Sequence, residues 1–282
     1  MKLWPLLIIL LLFLVGCGSS GDEGVIQQNF KLGYNGLDFD FIDNAPPEQI
    51  YPFSEFKMIL EFQNLGAYDI TDGEVSILGL EERYFILDFY NQNFDPLMGR
   101  SLVNPNGDKV LIEFDGVSEN LFQNADEYTN NYFLIINYDS EMEFSDSICI
   151  KPNLYSTYDG GCEVEDKSYS GQGSPLAITK MEEIISPGSG VEFRLVLENK
   201  GDGKVGQVTL RRARLGNEAL QCQFRGETAD LRRTEFDREE QETTIICRKN
   251  FISGQSSYMT TLSMNFDYEY EIVEQKELMM IK

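Results

Sequence analysis

Two runs of alternating carboxylates are the side chains of this 282-residue chain whose type and spacing most invite chemistry. Asp139, Glu141 and Glu143 recur at every second position, and Asp267, Glu269 and Glu271 repeat the pattern. At a period of two, each ladder shares one face of a β-strand, with neighbours ~6.5–7 Å apart. Such a face is a dock for a basic partner, a cation site, or a solvated surface whose like charges resist edge pairing. The spacing is too wide for three carboxylates to hold one Ca²⁺ at ~2.3–2.6 Å without help from loops. Asp-rich turns near Asp69, Asp72, Asn104 and Asp108 offer such loops, although none fits the D-x-[DN]-x-[DN]-G pattern. Glycosidase-type acid–base work by two carboxylates is a further alternative, but among 47 Asp and Glu some are close by chance.

The chain contains no histidine. That excludes Ser-His-Asp and Cys-His nucleophiles, imidazole metal ligands and a histidine general base within the chain. A net charge of −24 argues against binding nucleic acid, which needs clustered Lys and Arg to displace counterions. Charge is shared unevenly: residues 25–150 carry 5 basic and 23 acidic residues, whereas residues 151–282 carry 17 and 22. The second part holds a candidate basic patch, Arg211, Arg212 and Arg214 with Arg232 and Arg233. It meets an acidic surface, in the first part or on a neighbour, or anionic glycan and headgroups, or it is paired locally with Asp237, Glu239, Glu240 and Glu242.

Cys149, Cys162, Cys222 and Cys247 form an even set. Four cysteines allow three pairings. Proximity favours Cys149–Cys162 and Cys222–Cys247, separations of 13 and 25 residues worth ~3 kcal/mol each in the loop-entropy model. A four-cysteine zinc site lacks C-x₂-C spacing, and redox catalysis lacks any C-x-x-C pair.

The elements that must carry these groups are strands. Phe56, Met58, Leu60 and Phe62 alternate with polar residues, as do Val191, Phe193, Leu195 and Leu197, and more briefly Val110, Ile112 and Phe114. Thr71-Asp72-Gly73, Asn104 to Asp108 and Gly201-Asp202-Gly203 read as turns between them. The runs also repeat. Phe56 to Glu61 matches Phe193 to Glu198, each leading into an Asn-x-Gly turn, Asn64-Leu65-Gly66 and Asn199-Lys200-Gly201. Asn137 to Phe144 likewise matches Asn265 to Ile272. A duplicated β unit follows, with one copy at 25–152 and the other at 173–282. A polar, glycine-rich linker at 153–172, tied by Cys149–Cys162, joins them. Short strands at this spacing predict an all-β chain of two tandem antiparallel sandwiches.

At the start of the chain, Leu3 to Val15 is an apolar run of thirteen residues, roughly 20 Å as helix and short of a ~30 Å hydrocarbon core. It reads as a secretory signal. Leu14-Val15-Gly16-Cys17 resembles the lipobox of prokaryotic lipoproteins. The resemblance implies cleavage of 1–16, lipid attachment at Cys17, and a small polar tether at 17–24. A plain signal peptide whose apolar run ends in cysteine is the alternative. An apolar strand ending in Asn-x-Gly, within a unit of about 110 residues, resembles the CARDB-type and related Ig-like modules of prokaryotic cell-surface proteins. Cys17, the strand with Asn64, Ile148 to Pro152, Gly171 to Pro175, Ile245-Ile246-Cys247 and Tyr268 to Tyr270 carry a likeness to archaeal surface lipoproteins with tandem domains. That likeness implies two Ig-like β-sandwiches outside the cytoplasm and carries over no catalytic residue.

These readings converge on an extracytoplasmic protein anchored to the membrane at Cys17. Its expected role is a non-catalytic interaction, adhesion or envelope-assembly module with a protein partner at the envelope. A solute- or calcium-binding lipoprotein serving a transporter is the alternative, with a carboxylate-based hydrolase behind it. No cofactor is expected, calcium being the one candidate.

Overall fold

The structure is a computed structural model describing residues 29–122, 125–152, 161–186, 189–227, 229–236, 239–250 and 257–282. The first part contributes β1 (Leu37–Phe41), β2 (Glu55–Asn64), β3 (Ile70–Leu78), β4 (Phe85–Leu87), β5 (Asn91–Phe94), β6 (Lys109–Ser118) and β7 (Glu127–Ile150). The second contributes β8 (Lys167–Ser168), β9 (Leu176–Ser186), β10 (Gly190–Asn199), β11 (Lys204–Leu215), β12 (Glu218–Ala219), β13 (Gln221–Phe224), β14 (Arg233–Glu235), β15 (Glu242–Asn250) and β16 (Tyr258–Ile281). The pairings between these strands are antiparallel, Ile50 makes an isolated parallel bridge to Met280, and the described residues contain no helix. The alternation seen in the sequence sets the faces: Phe56, Met58, Leu60 and Phe62 of β2 and Val191, Phe193, Leu195 and Leu197 of β10 are all buried.

Three sheets result. A four-stranded sheet runs β1-β2-β6-β4, and a five-stranded sheet runs β13-β15-β10-β9-β8. The third belongs to both parts of the chain, in the order β12-β11-β16-β7-β3-β5, with β14 also pairing β11. At its centre β7 and β16 pair over their full 24 residues, from Tyr258 opposite Ile150 to Ile281 opposite Glu127. Because the register places even positions against even, one face of this ribbon is mostly apolar and buried along its middle. Tyr132, Leu134, Ile136, Met142 and Phe144 on β7 join Leu262, Met264, Phe266, Tyr268 and Tyr270 on β16 in a single buried core. Both smaller sheets contribute to that core, so they cover the same face and leave the other open.

The two Asn-x-Gly turns are built alike. Asn64 Oδ1 accepts from the Gly66 amide and Asn199 Oδ1 from the Gly201 amide, each at 3.0 Å. Each Asn side-chain amide then ties the turn back, to the Tyr68 and Leu97 carbonyls in one case and to the Gly203 carbonyl and Gln241 in the other. These side chains mimic a backbone turn, which is why asparagine recurs at this place. Part of the stretch read as linker is structural. Lys167–Ser168 forms β8, and Gly171 to Pro175 are buried between the two turns. The Gly173 carbonyl accepts from Ala67 N (2.7 Å) and the Pro175 carbonyl from Lys200 N (2.8 Å). Thr71-Asp72-Gly73, expected as a turn, lies inside β3 as a bulge where the pairing with β7 shifts, with Asp72 at φ 49°.

Candidate functional site

Pairing of β7 with β16 brings the two carboxylate ladders side by side on the open face of the shared sheet. Glu141 stands opposite Asp267 and Asp139 opposite Glu269, while Glu143 faces Asn265 and Glu271 faces Asn137. The flanking strands widen the face. Thr71 of β3 lies against Asp139, and Thr209 of β11 lies against Asp267 on one side and Arg233 of β14 on the other. Together they floor a shallow concavity of about 540 Å³ whose acidic groups are Asp69, Asp72, Asp139, Glu141, Asp267 and Glu269. Arg211 and Arg233 stand at its edge.

Like charges directly opposite each other destabilise a sheet, and the electrostatics bear this out. Burial pushes the Asp139 carboxyl above its usual range, with Glu269, Asp72 and Asp267 adding to the shift. Burial likewise raises Glu141, assisted by Glu143, Asp267 and Asp69 and opposed by Lys31. Glu143 moves the other way, because Lys31 donates to it at 2.6 Å and Asn265 donates at 3.0 Å. Asp267 is ion-paired with Arg211.

Four of the five arginines of the basic patch, Arg211, Arg212, Arg214 and Arg232, line one groove, and Arg233 borders the acidic face. Arg211 joins the acidic face through Asp267, Arg233 pairs with Asp230 at 3.9 Å, and Arg232 donates to the Leu210 and Arg211 carbonyls. Arg212 and Arg214 project from β11 and line that groove, of about 660 Å³, with Arg211, Arg232 and Arg248. Asp237, one of the local acidic partners suggested by sequence, lies outside the described residues.

The Asp-rich turns use their carboxylates on the backbone. Asp69 accepts from Gly99 N (2.9 Å), and Asp108 accepts from Met98 N (3.0 Å) and from Asn104 Nδ2 (2.8 Å). Among the described residues no group of three or more Asp, Glu or Cys is arranged to hold a metal ion. The cysteines form Cys149–Cys162, joining the end of β7 to the segment before β8, and Cys222–Cys247, directly opposite each other on β13 and β15. Cys17 and the tether at 17–24 lie outside the described residues.

Three features escaped the sequence reading. Lys31 reaches the acidic face, although a lone lysine near the start of the chain carries no pattern. A tyrosine cluster fills the seam under the turns: Tyr138 and Tyr270 have ring centroids 5.4 Å apart, and Tyr268 Oη lies 2.8 Å from Ser174 Oγ. Burial pushes the Tyr268 phenol up to about 12. Glu183 on β9 is half-buried with its Oε1 buried and unpartnered, and burial raises its carboxyl to about 7 despite Lys167 nearby.

No protein-family model matches the chain, and no curated protein matches it. Among solved structures it shows a likeness to the secreted serine protease VesC from Vibrio cholerae, at 12% identity and a TM-score of 0.24. The alignment covers 81% of this chain and 49% of that one, so the chain spans about half the length of that protein. Similarity at this level transfers neither fold nor activity.

Proposed function

We propose that the chain is a cell-surface lipoprotein, cleaved after residue 16 and anchored through lipid at Cys17. On this reading residues 25–152 and 173–282 are two Ig-like sandwich copies that share the seven-stranded sheet as a common back layer. Its role is a non-catalytic interaction or envelope-assembly module whose open acidic face receives a basic surface of a protein partner.

One observation carries the proposal: the 2 × 2 set of Asp139, Glu141, Asp267 and Glu269 on an open sheet face, balanced among the described residues by one ion pair, to Arg211. A sheet that keeps like charges opposite each other forgoes stability, and a cationic surface laid across it relieves that repulsion. The carboxylates lie on a broad face and not in a water-excluding cleft, which suits recognition better than acid–base catalysis. Two disulfides accord with an oxidising compartment outside the cytoplasm.

The test of the anchor is fractionation of cells expressing the full chain or Cys17→Ser. The full chain is expected in the membrane fraction and the Ser variant in the soluble extracytoplasmic fraction. Continued pelleting of Cys17→Ser would point to an uncleaved signal anchor.

A further inference from the structure

Leu102 and Val103 are 81% and 95% exposed, more than any other large apolar side chain among the described residues. They form the tip of a loop over residues 98–108 that is tied down along its length. Ser101 N donates to the Asn104 carbonyl (2.9 Å), Asn104 N to Ser101 Oγ (3.1 Å) and Asp108 N to the Met98 carbonyl (3.0 Å). At its foot Arg100 N donates to the Gly66 carbonyl at 2.7 Å. Gly107, at φ 71°, lies so close to the Asn64 carbonyl that no side chain fits there. A loop held this firmly cannot fold its two apolar side chains back into the core. It presents them to whatever lies outside.

The chain itself says what that is. The Arg100 guanidinium sits 5.3 Å above the ring of Phe30, the second described residue, so the chain enters the fold at the foot of this loop. Only residues 18–28 separate Cys17 from the first described residue, a reach of at most roughly 40 Å. An acyl chain on Cys17 would therefore hold the loop within a tether's length of the bilayer. A short tether supplies an effective concentration on the order of millimolar, enough to occupy a contact too weak to hold alone. The chain's net charge of −24 gives it no electrostatic attraction to anionic headgroups, whereas withdrawal of Leu and Val from water is indifferent to charge.

We propose that the Leu102–Val103 tip inserts into the lipid interface beside the anchor and fixes the orientation of the acidic sheet face; this rests on lipid attachment at Cys17. Lys31, one residue from Phe30, is ion-paired to Glu143, so the anchor side of the molecule also borders the acidic face. Attachment at two points converts a tumbling domain into one that presents this face at a constant angle.

The chain from Cys17 onward keeps every described residue and lacks Trp4, the one tryptophan, so Val103→Trp creates a single reporter. Phe53→Trp is the control: it sits before β2, whereas the loop packs at the other end of that strand, roughly 30 Å away. With the other four cysteines in disulfides, the Cys17 thiol can be coupled to a maleimide lipid in phosphatidylcholine vesicles carrying brominated acyl chains. The expected result is a blue shift and bromine quenching for Val103→Trp, both lost on adding Leu102→Asp, with solvent-like emission for Phe53→Trp. Solvent-like, unquenched emission from Val103→Trp, or quenching of Phe53→Trp instead, overturns the proposal. Because coupling imposes the lipid chemically, failure here indicts the loop, while failure of the anchor is read separately from Cys17→Ser fractionation.

Discussion

Glu141 of β7 and Asp267 of β16 stand directly opposite each other at the centre of the shared sheet, and among the described residues Asp267 is ion-paired to Arg211 whereas Glu141 has no ion pair. Burial raises the Glu141 carboxyl above its ordinary range, and Glu143, Asp267 and Asp69 add to the shift while Lys31 opposes it. The pair belongs to two separate segments of the chain, so its charge density comes from tertiary pairing and from neither ladder alone.

Glu141→Gln is therefore expected to stabilise the fold at low salt by a few tenths of a kcal/mol, because it removes a like-charge cross-strand pair. The gain should shrink at high ionic strength, where exposed charges are screened. The same substitution should weaken binding of a polycationic peptide. Urea melts at two salt concentrations and a binding titration measure both effects; destabilisation by Glu141→Gln would mean the carboxylate is structurally satisfied.

Asn64 is expected to matter more than its counterpart Asn199. It is 1% exposed, donates to the Tyr68 and Leu97 carbonyls at 2.8 and 2.9 Å, and accepts from Gly66 N. Alanine leaves these groups unpaired in a dry site, at about 2–4 kcal/mol. Asn199 is only partly buried, and its loss should cost about 1 kcal/mol. Equal effects in chemical denaturation would contradict the assignment of Asn64 to the buried seam.

Glu183 gives the fold a pH dependence of predictable sign. Burial raises its carboxyl from 4.5 to about 7, so the folded state holds the proton more tightly than the unfolded state does. Its contribution is fully present below about pH 4.5 and is lost as pH rises through about 7. Glu183→Gln keeps a neutral side chain of the same shape. The urea midpoint of the native protein should fall relative to the Gln variant between pH 5 and pH 8, and parallel profiles would place the charge of Glu183 in water.

The all-β class was legible because period-two alternation is local, and the buried faces of β2, β10 and β16 follow it. Both disulfides pair cysteines near in sequence, and the duplicated Asn-x-Gly turns recur as matching side-chain turns at Asn64 and Asn199. Pairing of the two closing strands was not legible. A period-two strand states which residues share a face but not which strand it will meet, and two repeated ladders fit many registers equally well. The destination of Arg211 was hidden for the same reason, since its partner Asp267 lies 56 residues away across β11 and β16. Thr71-Asp72-Gly73 looked like a turn because its residue types suit a bulge as well as a reversal.

The central claim is that a partner at the cell envelope meets the acidic face formed by β7 and β16. Carboxyl-directed cross-linking on intact cells, with mass spectrometry of the joined peptides, tests it most directly. The account predicts reproducible links from Asp139, Glu141 or Glu269 to lysines of one envelope protein, abolished when Asp139, Glu141, Asp267 and Glu269 are changed together to their amides. Links confined to the chain itself, under conditions that capture known envelope complexes, would contradict it and turn attention to a dissolved ligand.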